Sequence, residues 1–219
     1  MQEQHSAPDQ QGAPDQRGAP DQRGAAKQGS SAKPLVVMDY QADWPVKAAA
    51  IIGTLRARLG SLAGRIEHIG STSIPGMAAK DVIDLQVSTP DLEAAAEAFA
   101  DPLRDLEFEA FPYAYDHIPA GRGDNQELWA KRFWSRRDHP DGAVNLHVRV
   151  VDSPNERLAL LFRDWFRANP AAVPPYAQFK RRLAGLTADI YSYTEVKDPV
   201  VDVVIVAAET WAASTGWRP

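Results

Sequence analysis

The chain has 219 residues, 44% of them hydrophobic and 24% charged, with a formal net charge of −5 at pH 7 and no cysteine. That balance is ordinary for a globular protein, and the missing thiols exclude disulfides, cysteine nucleophiles and cysteine-held zinc. With no dense basic run, no apolar run of about 18 residues and no apolar leader, the expectation is a cytoplasmic protein with no membrane partner and no bulk nucleic-acid binding.

Residues 1–33 carry a hexapeptide repeat, Ala7-Pro-Asp-Gln-Gln-Gly followed by two copies of Ala-Pro-Asp-Gln-Arg-Gly from Ala13 and Ala19. Alanine and proline alone cannot line a core that offsets ~1–2 kcal/mol of backbone entropy per residue, so this stretch reads as a disordered tail. The domain is expected over 34–213, starting at Leu35-Val36-Val37, with 214–219 frayed. Asp43-Trp44-Pro45 marks a helix start, and Ile51, Ile52, Leu55 and Leu59 follow at helical spacing up to Gly60. Ile66 to Ile69 is a short strand broken by Gly70-Ser71-Thr72-Ser73. A second strand, Val82 to Val87, places Val82, Asp84 and Gln86 on one face and Ile83, Leu85 and Val87 on the other.

Asp91 to Leu106 forms an amphipathic helix in which Pro102 is placed to kink or divide the chain. Phe108 to Tyr115 reads as extended and Ile118 to Glu127 as a loop. Leu128–Arg137 and Ala143–Val151 pair as a hairpin, the second strand turning Val144, Leu146 and Val148 one way and Asn145, His147 and Arg149 the other. Ser153-Pro154-Asn155-Glu156 combines a capping box with a first-turn proline, and Leu158, Leu161, Phe162, Trp165 and Phe166 follow. Tyr176, Phe179, Leu183 and Leu186 mark another helix. Asp198-Pro199 opens a last one, to about Ala213, although its β-branched run would also suit a strand. The class is α+β, a small mixed sheet with a helical C-terminal segment.

A carboxylate on a strand beside a turn of backbone N–H and hydroxyl donors is how phosphate sites are built. Asp84 is therefore the candidate catalytic group and metal ligand, and Gly70, Ser71, Thr72 and Ser73 the candidate phosphate donors. His147, on the polar side of its strand, is the second catalytic candidate. His68 reads equally as a core histidine, and a three-ligand site of His68, Asp84 and His147 is a further option. Lys80, Lys131, Arg132, Arg136 and Arg137 form the basic set, with Lys131 and Arg132 necessarily on opposite faces; Trp129 and Trp134 read as core. No Gly-x-Ser-x-Gly elbow and no phosphate-binding Gly-x-x-x-x-Gly-Lys-[Ser/Thr] loop occurs, so neither that hydrolase chemistry nor kinase activity of the chain by itself is expected.

The segments VMDYQADWP from Val37, IEHIGSTSIPG from Ile66, AKDVID from Ala79, NLHVR from Asn145 and FRDWFRANP…YAQFK from Phe162 resemble the GrpB family. The resemblance implies a nucleotidyltransferase-like fold, a site joined by Tyr193 and Lys197, and kinship with the accessory domain fused to some dephospho-CoA kinases. The wider fold implies two acids one residue apart and a third on a neighbouring strand, holding two Mg²⁺ ions that align a nucleoside triphosphate. Gly70-Ser71 and Asp84 match that pattern, whereas Gln86 stands at the second acid and Asn145 or His147 at the third. A carboxamide offsets none of the charge of a hard cation. The expectation is a ligand site for a nucleotide or other phosphorylated small molecule, with nucleotidyl transfer as its reaction and Mg²⁺ as its metal. The alternative is a non-catalytic folding or regulatory module with a kinase or other protein partner. In the first case Asp84 is met by His147, by Gly70–Ser73 and by a basic residue from 128–137 or 180–197.

Overall fold

The computed structural model describes residues 35–187 and 189–219; the repeat tail lies outside the described residues. Five strands, β1 (Ile66–Ile69), β2 (Val82–Thr89), β3 (Glu109–Phe111), β4 (Lys131–Arg136) and β5 (Ala143–Val150), form one mixed sheet in the order β1-β2-β5-β4-β3. The central β2–β5 pair is parallel and the other pairings are antiparallel. With helices α1 (Trp44–Leu59), α2 (Leu92–Asp105), α3 (Pro154–Ala168), α4 (Val173–Leu186) and α5 (Ile190–Thr215), this is the expected α+β, nucleotidyltransferase-like architecture.

The two faces of the sheet are chemically unlike because the central strands β2 and β5 alternate. Ile83, Leu85 and Val87 of β2 join Val144, Leu146 and Val148 of β5 under α1 and α2. The helices supply Trp44, Ala48, Ile51, Leu55 and Leu59, and Leu92, Ala95, Phe99 and Leu103. Spacings of three and four put each set on one stripe. Asp91 caps α2 by accepting from the N–H groups of Glu93 and Ala94, and the helix runs unbroken through Pro102. The opposite face carries the polar residues. Helices α3 and α4 reach it, with Glu156 bonding to Ser88 and Lys180 to the turn after β1.

Three local readings are corrected. The capping box does not form: Ser153 Oγ donates to Val150 O and Asn155 Oδ1, and the Glu156 carboxylate accepts from Ser88 and Arg65 instead. An acid that can satisfy a buried hydroxyl and a guanidinium is drawn from its own helix terminus. The last helix starts at Ile190, capped by Asp189, and passes through Pro199 rather than beginning there. The C-terminal residues are anchored: Trp217 donates to Asp164 and lies under the Arg157 guanidinium.

Candidate functional site

Strand β1 ends, β2 and β5 begin and β4 ends at one edge of the sheet, which brings chemically related residues together. In register across the polar face, Ile69, Asp84, Asn145 and Ser135 form one row, and Glu67, Gln86, His147 and Phe133 the next. Asn145 Nδ2 donates to Asp84 Oδ1 at 2.9 Å, and Ser135 Oγ to Asn145 Oδ1 at 3.1 Å.

The turn after β1 is shaped to fit against Asp84. Gly70 adopts φ +68°, and a Cβ there would stand 2.5 Å from Asp84 Oδ2. Only glycine permits both that backbone and that approach. The three hydroxyls of the following 3₁₀ turn have different partners. Ser73 Oγ donates to Gly70 O at 2.6 Å, and Thr72 Oγ1 bonds His68 Nε2 at 2.9 Å; both residues are buried. Half-buried Ser71 receives Lys180 Nζ at 2.6 Å, and the same amine donates to Ala78 O at 2.6 Å.

Lys180, within the 180–197 range expected to bring a basic residue to Asp84, was not singled out from the sequence. It sits on α4 and is 3% exposed, and its bonding partners are neutral. Burial pulls its pKa down to about 7, and Lys197 pushes the same way. Lys80, just before β2, is also shifted down, by burial first and then by Lys197 and Arg137, while Asp84 opposes. Its Nζ lies 5.5 Å from the ring centre of buried Tyr193, whose hydroxyl is pushed up to about 12 by burial. The predicted Asp84, Gly70, Ser71, Lys80, Tyr193 and Lys197 thus form one neighbourhood, joined by Lys180 and Asn145. Asp84 acts on both Lys80 and Lys180, and Lys197 lies near both amines.

A second cluster fills the other end of the polar face. Asp116 accepts from Lys131 Nζ at 2.7 Å, Arg149 Nε at 2.7 Å and Asn155 Nδ2 at 3.0 Å. Burial works against its ionisation, but Arg149 and Lys131 prevail and hold it far below the usual carboxylate range. Arg149 also donates to Gln86 Oε1 at 2.5 Å, and Gln86 Nε2 to Glu156 O at 3.2 Å. Gln86 is therefore enclosed and turned to the scaffold.

His147 belongs to this second cluster. Its ring packs edge-on to Phe133, centroids 4.9 Å apart, and its Nδ1 lies 3.3 Å from Arg149 Nη2. Burial, then Arg149 and Lys131, keep it neutral well below its ordinary range. The expected convergence of His147 on Asp84 is corrected: the neighbour that reaches Asp84 is Asn145. Lys131 is likewise tied to Asp116. Arg132 lies on the opposite face, paired with Glu93 of α2. His68 is in register with Leu85, on the apolar side. Its pKa falls to about 4 through burial and the nearby Arg167 and Arg163.

A two-Mg²⁺ centre does not fit these residues. Gln86 is bonded elsewhere, Asn145 is spent on Asp84, and among the described residues no three His, Asp or Glu side chains group to hold a metal. Lys80 and Lys180 lie near the one acid of the set where cations would sit.

A family model described as GrpB protein matches residues 34–206. The chain is 35% identical over 205 residues to a dephospho-CoA kinase of Mycolicibacterium paratuberculosis, covering 85% of this chain and 49% of that protein. It is 30% identical over 175 residues to a UPF0157 protein of Halalkalibacterium halodurans, covering 80% of this chain and 82% of that one. The crystal structure of a conserved GrpB protein from Enterococcus faecalis superposes with a TM-score of 0.63 at 26% identity, over 80% of this chain and 99% of that one. The chain spans about half the length of the dephospho-CoA kinases it matches.

Proposed function

The chain belongs to the GrpB family, and on that premise we propose that the Gly70–Ser73 turn, Asp84 and the lysines 80, 180 and 197 bind a nucleotide or another phosphorylated small molecule, with nucleotidyl transfer as the reaction. The observation that carries the reading is the cationic setting of Lys180: its amine is buried against neutral oxygens, with Lys80 and Lys197 nearby and Asp84 as the opposing charge. Such a site lowers its own electrostatic cost by taking an anion, since a phosphate oxygen accepts charge-assisted hydrogen bonds from ammonium groups. Asp84, oriented by Asn145, is then free to accept from a ligand hydroxyl through Oδ2. In this reading Mg²⁺ is carried by the ligand's phosphates rather than by a set of protein carboxylates.

Calorimetric titration with ATP, CTP, GTP, UTP and pyrophosphate tests it. Lys80→Ala and Lys197→Ala should each weaken binding roughly tenfold, about 1.4 kcal/mol. Absence of binding by all five, with Asp84→Ala indistinguishable from the unaltered protein, overturns the reading.

The second reading, an accessory module, draws on a different observation: the dephospho-CoA kinases matched here are about twice as long as the aligned region. It predicts that the chain is retained by an immobilised dephospho-CoA kinase and alters that enzyme's activity; elution of both as separate species counts against it.

A further inference from the structure

The turn after β1 offers three hydroxyls, and their surroundings separate them. Ser73 is buried and donates to a carbonyl; Thr72 is buried against a histidine on the apolar side of β1. Ser71 alone is both accessible and in contact with an amine, Lys180 Nζ at 2.6 Å. The amine is held in place at its other side by Ala78 O. Around it stand Asp84 of β2, Lys80 of the segment before β2, Lys197 of α5, Arg181 of its own helix and the Tyr176 ring, 5.9 Å from Nζ. Of these charges Lys80, Lys197 and Arg181 are cations, Arg181 being paired with Asp39, and the two hydrogen-bond partners are uncharged. A lysine in such a place gives up its proton readily, and a serine hydroxyl beside a neutral amine is the arrangement that activates a nucleophile.

We propose that Ser71 is a nucleophile with Lys180 as its general base, and that it accepts the nucleotidyl group of a nucleoside triphosphate. This rests on the reading of the site as nucleotide-binding and names the acceptor within it. Lys180 Nζ takes the hydroxyl proton as Ser71 Oγ attacks the α-phosphorus. The Oγ–P bond forms, the bond from that phosphorus to the bridging oxygen breaks, and pyrophosphate leaves. Lys80 and Lys197 offset the charge that develops on the phosphoryl oxygens and the leaving group, a role that fixed cations fill when aimed at a developing charge. Asp84 lies against Gly70, the residue before Ser71.

The test uses the full chain with each of the four nucleoside triphosphates and Mg²⁺ in solution, following binding by calorimetry and covalent change by intact mass and peptide mapping. The expected result is one nucleoside monophosphate increment, on Ser71. Its rate should rise with pH up to about 7, where the amine loses its proton, and level off above. Ser71→Ala should abolish the adduct, and Lys180→Arg, which keeps the charge but cannot accept a proton, should slow it about 100-fold or more and remove the pH step. Because both residues also line the binding site, nucleotide affinity is measured for each variant in parallel, and at saturating nucleotide the adduct should still be lost or slowed while bound nucleotide is still detected. Ser71→Thr and Lys180→Gln serve as second variants, with thermal melts reporting whether each is folded. Binding with no adduct from about pH 6 to 9, an adduct on another residue, or a phosphate increment alone overturns the nucleophile and leaves the binding site standing. No binding of any triphosphate overturns both.

Discussion

The two polar clusters on one face of the sheet are built from similar residues and behave in opposite ways. In the Asp116 cluster each cation touches a carboxylate: Lys131 and Arg149 both meet Asp116, and Asn155 ties the same acid to the backbone of Trp129 and Ala130. In the Lys180 cluster the amine touches a hydroxyl and a carbonyl, and the nearest charges are mainly other cations. The first is closed and self-compensating, which is what a scaffold needs. The second is short of negative charge, which a ligand can supply. Buried polarity alone does not mark a functional site; uncompensated polarity beside an accessible group does.

The largest expected effect is on the closed cluster. Asp116→Ala leaves Arg149 and Lys131 buried without their acid, and breaking one side of such a network costs about 3–5 kcal/mol. Urea unfolding should report a loss of that size. Lys180→Gln should cost far less, because it removes a charge that the folded state disfavours. The sign can be checked with pH. Since the folded pKa of Lys180 is lowered to about 7 from 10.5, the unfolded chain holds the extra proton between those values, and stability from this group rises with pH across that window. Lys180→Gln should flatten that rise. An Asp116→Ala protein as stable as the parent would erase the contrast.

Gly70→Ala tests the hinge between turn and acid. The added methyl meets Asp84 Oδ2 and must adopt a positive φ, so a loss of about 1–3 kcal/mol is expected. Because the turn would move off Asp84, nucleotide affinity should fall with stability. A Gly70→Ala protein with unchanged affinity would separate the turn from the site.

Much of the fold was legible in the sequence because alternation in β2 and β5 is strict: the residues assigned to the apolar side are those under α1 and α2. The site was only half legible for the same reason. Alternation places His147, Lys131 and Asp84 on one face but cannot say which neighbour each will choose: Asp116, which claims Lys131 and acts on His147, comes from a loop, and Asn155, which bonds Asp116, from a helix start. Lys180 did leave a signal. It falls between Tyr176 and Leu183 on the buried stripe of α4, and a lysine in an apolar stripe must be held there by something. The start of α5 lies before the expected Asp198-Pro199 because the helix accommodates the proline and is capped by Asp189.

The smallest effect is the sharpest check on strand register. Lys131 and Arg132 are adjacent, both basic and both plausible phosphate ligands from composition alone. The structure sends Lys131 inward to Asp116 and Arg132 outward to Glu93, whose side chain is 80% exposed. A solvent-screened pair of that kind contributes about 0–1 kcal/mol. Arg132→Ala should therefore shift the urea midpoint slightly or not at all and leave nucleotide affinity unchanged, while Lys80→Ala, of the same charge change, should weaken binding. Equal losses of affinity in the two variants would mean that a general positive field, rather than the lysines gathered around Asp84, attracts the ligand. An affinity loss confined to Lys80→Ala assigns recognition to one face of one sheet, which is where the uncompensated charge lies.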